Sequence, residues 1–210
     1  MKLLERVHEQ HIADRRVRVL CGHVAALLPP EGRVLDVGCG DGRLAWLMTQ
    51  QRPDLELHGL DVLVRPGTLV PVKRFDGHVI PHGDASVDAV LLIDTLHHAE
   101  DPMGLLREAV RVARQAVVIK DHTREGLFAH STLRFMDWVG NARYGVALPY
   151  RYWTRRQWDE AFGLLGWCLK VWKARLGLYP WPASVVFERS LHFIARLEPG
   201  APPRLAAGEC

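Results

Sequence analysis

Apolar residues in the first thirty positions recur at helical spacing (Val7, Ile12, Val17, Leu20, Val24, Leu27, Leu28). They are interleaved with Arg15, Arg16 and Arg18 and stop at Pro29-Pro30, which predicts an amphipathic helix over 3–28. Downstream the pattern changes to short, nearly continuous apolar runs: "RVLDVG" (33–38), "LELHGLD" (55–61), "PVKRFD" (71–76), "SVDAVLLID" (86–94) and "QAVVIKD" (115–121). Runs that do not alternate read as strands of a parallel sheet covered on both faces. Helices are predicted between them over 42–51 and 102–114, the second with an inward stripe at Leu105, Leu106, Ala109, Val110 and Ala113. Pro66 and Gly67 leave little room for a crossover helix between the second and third strands. Residues 122–152 show neither period and read as irregular; a helix follows over 154–165 with Thr154 as its N-cap. "WCLKVWKARLG" (167–177) and "FERSLHFIARL" (187–197) read as two closing strands joined through "LYPWPAS". The expected fold is α/β, a doubly wound, mainly parallel sheet with an antiparallel edge hairpin at its C-terminal end.

At 210 residues, 48% hydrophobic and 24% charged, one unit over 1–197 is expected, with the Pro-, Gly- and Ala-rich 198–210 as a disordered tail. A net charge of +3 is too weak to announce nucleic acid or a membrane as partner, a claim that needs a localised patch, so no membrane partner is expected and nucleic acid is disfavoured. Cys21, Cys39, Cys168 and Cys210 show no metal-ligand spacing, the start "MKLLERVHEQH" lacks a signal-peptide core, and no apolar run of ~18 residues occurs, so a cytoplasmic location is expected.

The chemistry concentrates in "RVLDVGCGDGRLAWL" (33–47), where a strand falls into Gly38, Gly40 and Gly42 and then into a helix. Such a turn offers backbone N–H groups and a positive helix end to a ligand. A phosphate loop is excluded because no Gly-Lys-Ser/Thr follows, and the spacing is G-x-G-x-G, where a dinucleotide site has G-x-G-x-x-G. Asp36 places a carboxylate where a pyrophosphate would sit, which favours a cationic ligand.

"VLDVGCGDG" resembles the first motif of class I S-adenosylmethionine-dependent methyltransferases, and further motifs follow in that family's order over 33–121. The resemblance implies a Rossmann-like seven-stranded sheet and S-adenosyl-L-methionine as cofactor, leaving S-adenosyl-L-homocysteine. It assigns cofactor contacts to Asp36, Gly38, Cys39 and Gly40 in the turn, to Asp61 and Val62 after the second strand for the ribose, to Asp76 and Gly77 for the adenine, and to Asp94 for the amino-acid end. Bland readings stand beside these: a ligand-free turn for the glycines, loop capping for Asp61 and Asp76, and a small filler for Cys39.

Candidate bases sit at the carboxyl ends of the fourth and fifth strands, where ligands bind in doubly wound sheets. They are His97 of "DTLHH", and Asp121 and His122 of "KDH". His98 reads equally as a cap or core residue, and a metal held by the His pair lacks an obvious third ligand. The acceptor-side segment 122–158 is dense in Phe135, Met136, Trp138, Tyr144, Tyr150, Tyr152 and Trp153, as for an apolar lid over a flat substrate. Its Arg134, Arg143, Arg151, Arg155 and Arg156 could pair an anionic group, dock a carrier, or simply solvate a surface. The leading reading is methyl transfer to a small aromatic or polyketide-like acceptor, free or carrier-bound. RNA or protein as acceptor, a non-catalytic donor-binding subunit and a nicotinamide oxidoreductase are the competing readings, and a homodimer is open. Against nucleic acid, the fourth strand is followed by "DTLH", not by the Asn/Asp-Pro-Pro-Tyr/Phe of base-amine methylases.

Overall fold

A computed structural model describes residues 15–141 and 149–200. The helix α1 is described over 15–25; the predicted first turns and the tail 201–210 lie outside the described residues. The chain then runs β1 (Gly32–Val37), α2 (Arg43–Gln51), β2 (Leu55–Asp61), β3 (Val72–Arg74), β4 (Val87–Ile93), a 3-10 turn (Leu96–His98), α3 (Pro102–Val112) and β5 (Ala113–His122). It continues through α4 (Ala129–Asn141), α5 (Arg155–Gly163), β6 (Trp167–Lys173), α6 (Ala183–Phe187) and β7 (His192–Pro199). The seven strands form one sheet in the order β3-β2-β1-β4-β5-β7-β6. β1 to β5 pair in parallel, and β7 is antiparallel to both β5 and β6.

The apolar runs are continuous because both faces are buried. Leu35, Val37, Val90, Leu92, Val117 and Ile119 face α3 and α5, packing with Leu105, Leu106, Trp158 and Phe162. The alternate residues Val34, Ala89, Leu91, Ala116 and Val118 face the other way, against Leu20, Cys21 and Val24 of α1 and Ala45 and Met48 of α2. No helix occupies 62–71, as Pro66 and Gly67 led one to expect.

Two local readings are corrected. α4 lies within the stretch read as irregular: Ala129, Leu133 and Asp137 are buried at i, i+4 spacing, and the acid in that stripe hides the period. The second closing strand begins at His192, not Phe187, because Ala183–Phe187 form the short helix α6; β7 then runs to Pro199, two residues past the expected limit.

The polar N-caps of α3 and α5 behave as the chemistry requires. Asp101 accepts from the Gly104 N–H at 2.8 Å before Pro102. Thr154 forms a capping box with Gln157, its hydroxyl accepting from the Gln157 N–H while the Gln157 side chain accepts from the Thr154 N–H. Thr154→Ala should lower stability by about 1 kcal/mol, read as a shifted urea midpoint with an unchanged slope.

Candidate active site

The carboxyl ends of β1, β2, β4 and β5 converge on a cavity of about 510 Å³. Its walls include Gly38 and Gly40 after β1, Asp61 at the end of β2 and Val62 after it, Gly77 after β3, Asp94 after β4, His97 and His98 in the 3-10 turn, and His122 at the end of β5. Met136 and Asp137 of α4 face it from the acceptor-side segment. The volume falls in the usual range for organic-ligand sites, ~300–1,000 Å³.

The turn after β1 is built by close backbone approach. Gly38 has φ 77°, and a Cβ there would lie 2.5 Å from the Thr95 hydroxyl oxygen, which itself donates to the Val37 carbonyl at 2.9 Å. Asp61 spans the mouth of this turn: Oδ2 accepts from the Gly40 N–H at 2.8 Å and Oδ1 from the Leu63 N–H at 2.9 Å.

Three residues assigned to the cofactor by resemblance do not line this cavity directly. Asp36 shares a sheet face with Val34, so its carboxylate points under α1; with Cys39 it lines a separate recess of about 260 Å³, to which Gly38 is common. Burial, then the nearby Asp61, pushes Asp36 up to about 7, and its Oδ1 has no hydrogen-bond partner. Burial likewise raises the Cys39 thiol. Asp76 is exposed at the cavity rim between Phe75 and Gly77, its Oδ1 accepting from the His78 and Val79 N–H groups at 2.8 Å.

Beyond the turn lies a buried charged cluster. Lys120, fully buried, donates to Asp94, which sits at φ 53°, and approaches His192 Nδ1 at 3.4 Å. His97 is held between two carboxylates, with Nδ1 2.7 Å from Asp121 and Nε2 3.5 Å from Asp137. Asp121 also accepts from the Leu96 N–H at 3.1 Å and the His122 N–H at 2.7 Å, and Tyr152 donates its hydroxyl to Asp137. Burial opposes a charge on His97, but Asp121 and Asp137 outweigh it and push the ring up to about 10. Both ring nitrogens of His97 are thus turned to carboxylates, an arrangement that favours its protonated form over the neutral form a base requires. His122 differs. Burial, and then Lys120, pull it down from its ordinary value, so it stays neutral. Its Nδ1 lies 3.4 Å from Asp121 Oδ1 and 3.7 Å from Asp94 Oδ1 without forming a hydrogen bond.

Asp94, His97, Asp121 and His122 bring one donor atom each within 4.8 Å of one another, supplying the further metal-type ligands that spacing alone did not reveal. Lys120 already neutralises Asp94, however, and His97 already neutralises Asp121. Residues that spacing did not single out include Thr95, Arg16, Arg65, Asp137 and Tyr179; Asp137 and Tyr152 become partners only once α4 forms.

The residues expected in an aromatic lid take different positions. Phe135 and Trp138 point to solvent, Tyr152 is buried beside α4, and Trp153 packs on Trp158. Arg155 and Arg156 pair with Asp159 and Glu160 along α5, the solvating reading. Arg151 donates to the Glu100 carbonyl, whereas Tyr144 and Arg143 lie outside the described residues.

A parallel sheet with one inserted antiparallel strand, a glycine turn after its first strand and an acid ending its second defines a class I methyltransferase fold. The methyltransferase-domain family matches residues 9–169, and the chain belongs to this family, whose members are S-adenosylmethionine-dependent methyltransferases. Over 110 residues, 45% of the chain, it is 29% identical to 27-O-demethylrifamycin SV methyltransferase of Amycolatopsis mediterranei (strain S699), and the match spans 40% of that protein's length. Among solved structures, it resembles a chain from the complex between the Haloferax volcanii Trm112 methyltransferase activator and a methyltransferase, with a TM-score of 0.70 at 17% identity over 92% of this chain and 94% of that one. It also resembles an S-adenosylmethionine-dependent methyltransferase of Thermotoga maritima, with a TM-score of 0.64 at 18% identity over 93% and 95% of the two chains. At these identities the structural likeness concerns the fold.

The clamp on His97 has a pH signature. A ring whose value rises from 6.5 to about 10 on folding contributes stability that is complete below 6.5 and lost as pH climbs through 10. Wild type should lose urea resistance across that interval relative to its own value at pH 6.5, and His97→Gln should not; parallel pH profiles for the two would remove the clamp.

Proposed function

We propose that the chain methylates a small organic acceptor, aromatic or polyketide-like, and that His122 takes the acceptor's proton. The observation that carries this reading is the continuity of one cavity from Gly38, Gly40 and Asp61 to His122. The residues fit the cofactor: two left-handed glycines keep side chains out of the turn, and Asp61 is fixed beside them by two backbone N–H groups. Gly38, Gly40, Asp61, Val62, Gly77 and Asp94 would hold it. Asp76 would act from the rim, and Asp36 and Cys39 from behind the turn, where the unpartnered Asp36 oxygen favours a cationic group. When bound, S-adenosylmethionine supplies a methyl group already activated on a sulfonium.

The protein's own part is alignment, exclusion of water and proton removal. Positioning can contribute ~7–11 kcal/mol, and a base about 10²–10⁴-fold. The acids beside His122 Nδ1 favour the ring proton on that nitrogen, which leaves Nε2 as the acceptor. His97 acts as a positioning residue: it joins Asp121 of β5 to Asp137 of α4 and so holds the acceptor-side wall against the donor-side wall. The partial relative named for 27-O-demethylrifamycin SV supports an acceptor of this size.

The test is transfer of label from methyl-labelled S-adenosylmethionine into fractions of a cell extract, with 27-O-demethylrifamycin SV assayed in parallel. Label in heat-stable, low-mass product is expected; label confined to RNA or protein would replace this reading with a macromolecular acceptor, and donor binding without turnover would make the chain a binding subunit. On any acceptor found, His122→Gln should cut kcat by about 10²-fold or more with unchanged S-adenosylhomocysteine affinity; an unchanged kcat removes His122 as the base. Asp61→Ala should weaken S-adenosylhomocysteine binding at least about tenfold by calorimetry, roughly 1.4 kcal/mol, and equal affinity would refute the ribose assignment.

A further inference from the structure

α4 is apolar on two sides. Its inner stripe, Ala129, Leu133 and Met136, packs with Tyr152 and Leu191, while Phe135, Trp138 and Val139 project outward at 54%, 58% and 52% exposure. The turn that leads into the helix extends this outer stripe with Leu127 and Phe128, 76% and 68% exposed. Phe128 is held at φ 61°, a conformation disfavoured for a bulky residue, and the aromatic ring so displayed gains little burial within the chain. A helix with apolar residues on opposite sides normally buries both.

The margins of the outer stripe are cationic. On the helical wheel, Arg134 lies on one side of Trp138; on the other, Arg189 reaches Thr132 at 3.2 Å. Both arginines are exposed, and α4 carries no exposed carboxylate, its single acid, Asp137, being buried. A localised basic and apolar patch is what the chain's small net charge could not reveal. Self-association through this face would set arginines against arginines with no acid of the stripe to receive them. Nucleobases would stack on Phe128, Phe135 and Trp138 but would leave the equally exposed aliphatic Leu127 and Val139 without a matching surface. Aromatic and aliphatic side chains flanked on both sides by arginines do match the boundary between acyl chains and anionic headgroups, with the rings in the apolar layer and the guanidinium groups at the phosphates.

We infer that the outer face of α4, with the Leu127–Phe128 turn, is a peripheral docking surface for an anionic lipid bilayer. No helix among the described residues is long and apolar enough to cross a membrane, so the association is interfacial. Because α4 also supplies Met136 and Asp137 to the cavity, docking would set the acceptor side of the site at the bilayer surface. The inference does not depend on which acceptor is methylated.

The experiment is co-sedimentation of the full chain with phosphatidylcholine vesicles and with vesicles of phosphatidylcholine and phosphatidylglycerol, followed by tryptophan fluorescence. The full chain should pellet with the anionic vesicles, shift its emission to the blue, remain in solution with phosphatidylcholine alone, and be released at about 1 M salt, where charge screening is short-ranged. Phe135→Ser/Trp138→Ser should bind at least about tenfold more weakly with an unchanged circular dichroism spectrum and S-adenosylhomocysteine affinity. Arg134→Glu, which leaves the apolar stripe intact, should also weaken binding. Failure of the full chain to pellet with anionic vesicles would overturn the inference, as would equal binding by the double variant or by Arg134→Glu. A dimer in solution that the double variant converts to monomer would assign the face to a second copy instead.

Discussion

The site depends on a buried charge arrangement at the ends of β4 and β5, where Lys120 and His97 stand against Asp94, Asp121 and Asp137. None of these groups is stable alone in that setting: removing one partner of a buried ion pair costs roughly 3–5 kcal/mol because the other is left uncompensated. The pairing therefore enforces geometry. Lys120 holds Asp94 at the cavity wall, and His97 ties β5 to α4, so the donor side and the acceptor side meet at a fixed separation. The same field explains why two neighbouring histidines differ. His97 touches two carboxylates and is driven cationic, while His122, close to Lys120 and deeply buried, is kept neutral.

Around this cluster the sheet does the placing. Parallel strands deliver their carboxyl ends to one edge, so residues far apart in sequence, Gly38, Asp61, Asp94 and His122, line one cavity. Close approach of Thr95 to Gly38 leaves no room for a side chain in the turn, making the glycine a packing requirement as well as a conformational one. The hydrogen bond from Gly40 to Asp61 then locks the first loop to the second.

The parts of this architecture legible in sequence were those governed by local pattern. The apolar run 55–61 is β2 from end to end, Thr154 caps α5, and Pro66-Gly67 marks a connection without a helix. α4 was illegible because Asp137 breaks the buried stripe and Phe135 and Trp138 make the solvent side apolar, which erases the contrast that reveals a helix. The position of Asp36 could have been read from its parity with Val34, but its placement behind the turn needs the sheet. The charge state of His97 has no local signal, since Asp121 lies 24 residues away and Asp137 reaches it only through α4. Family resemblance pointed to loops that line the cavity and could not show which of their acids face it.

The measurement closest to the centre of this account is nitrogen NMR of the imidazole rings in histidine-labelled protein a little above neutral pH, with signals assigned through His97→Gln and His122→Gln. One ring protonated on both nitrogens should vanish with His97, and a neutral ring should vanish with His122. A neutral His97 or a cationic His122 under those conditions would contradict the charge arrangement on which the proposed division of roles rests.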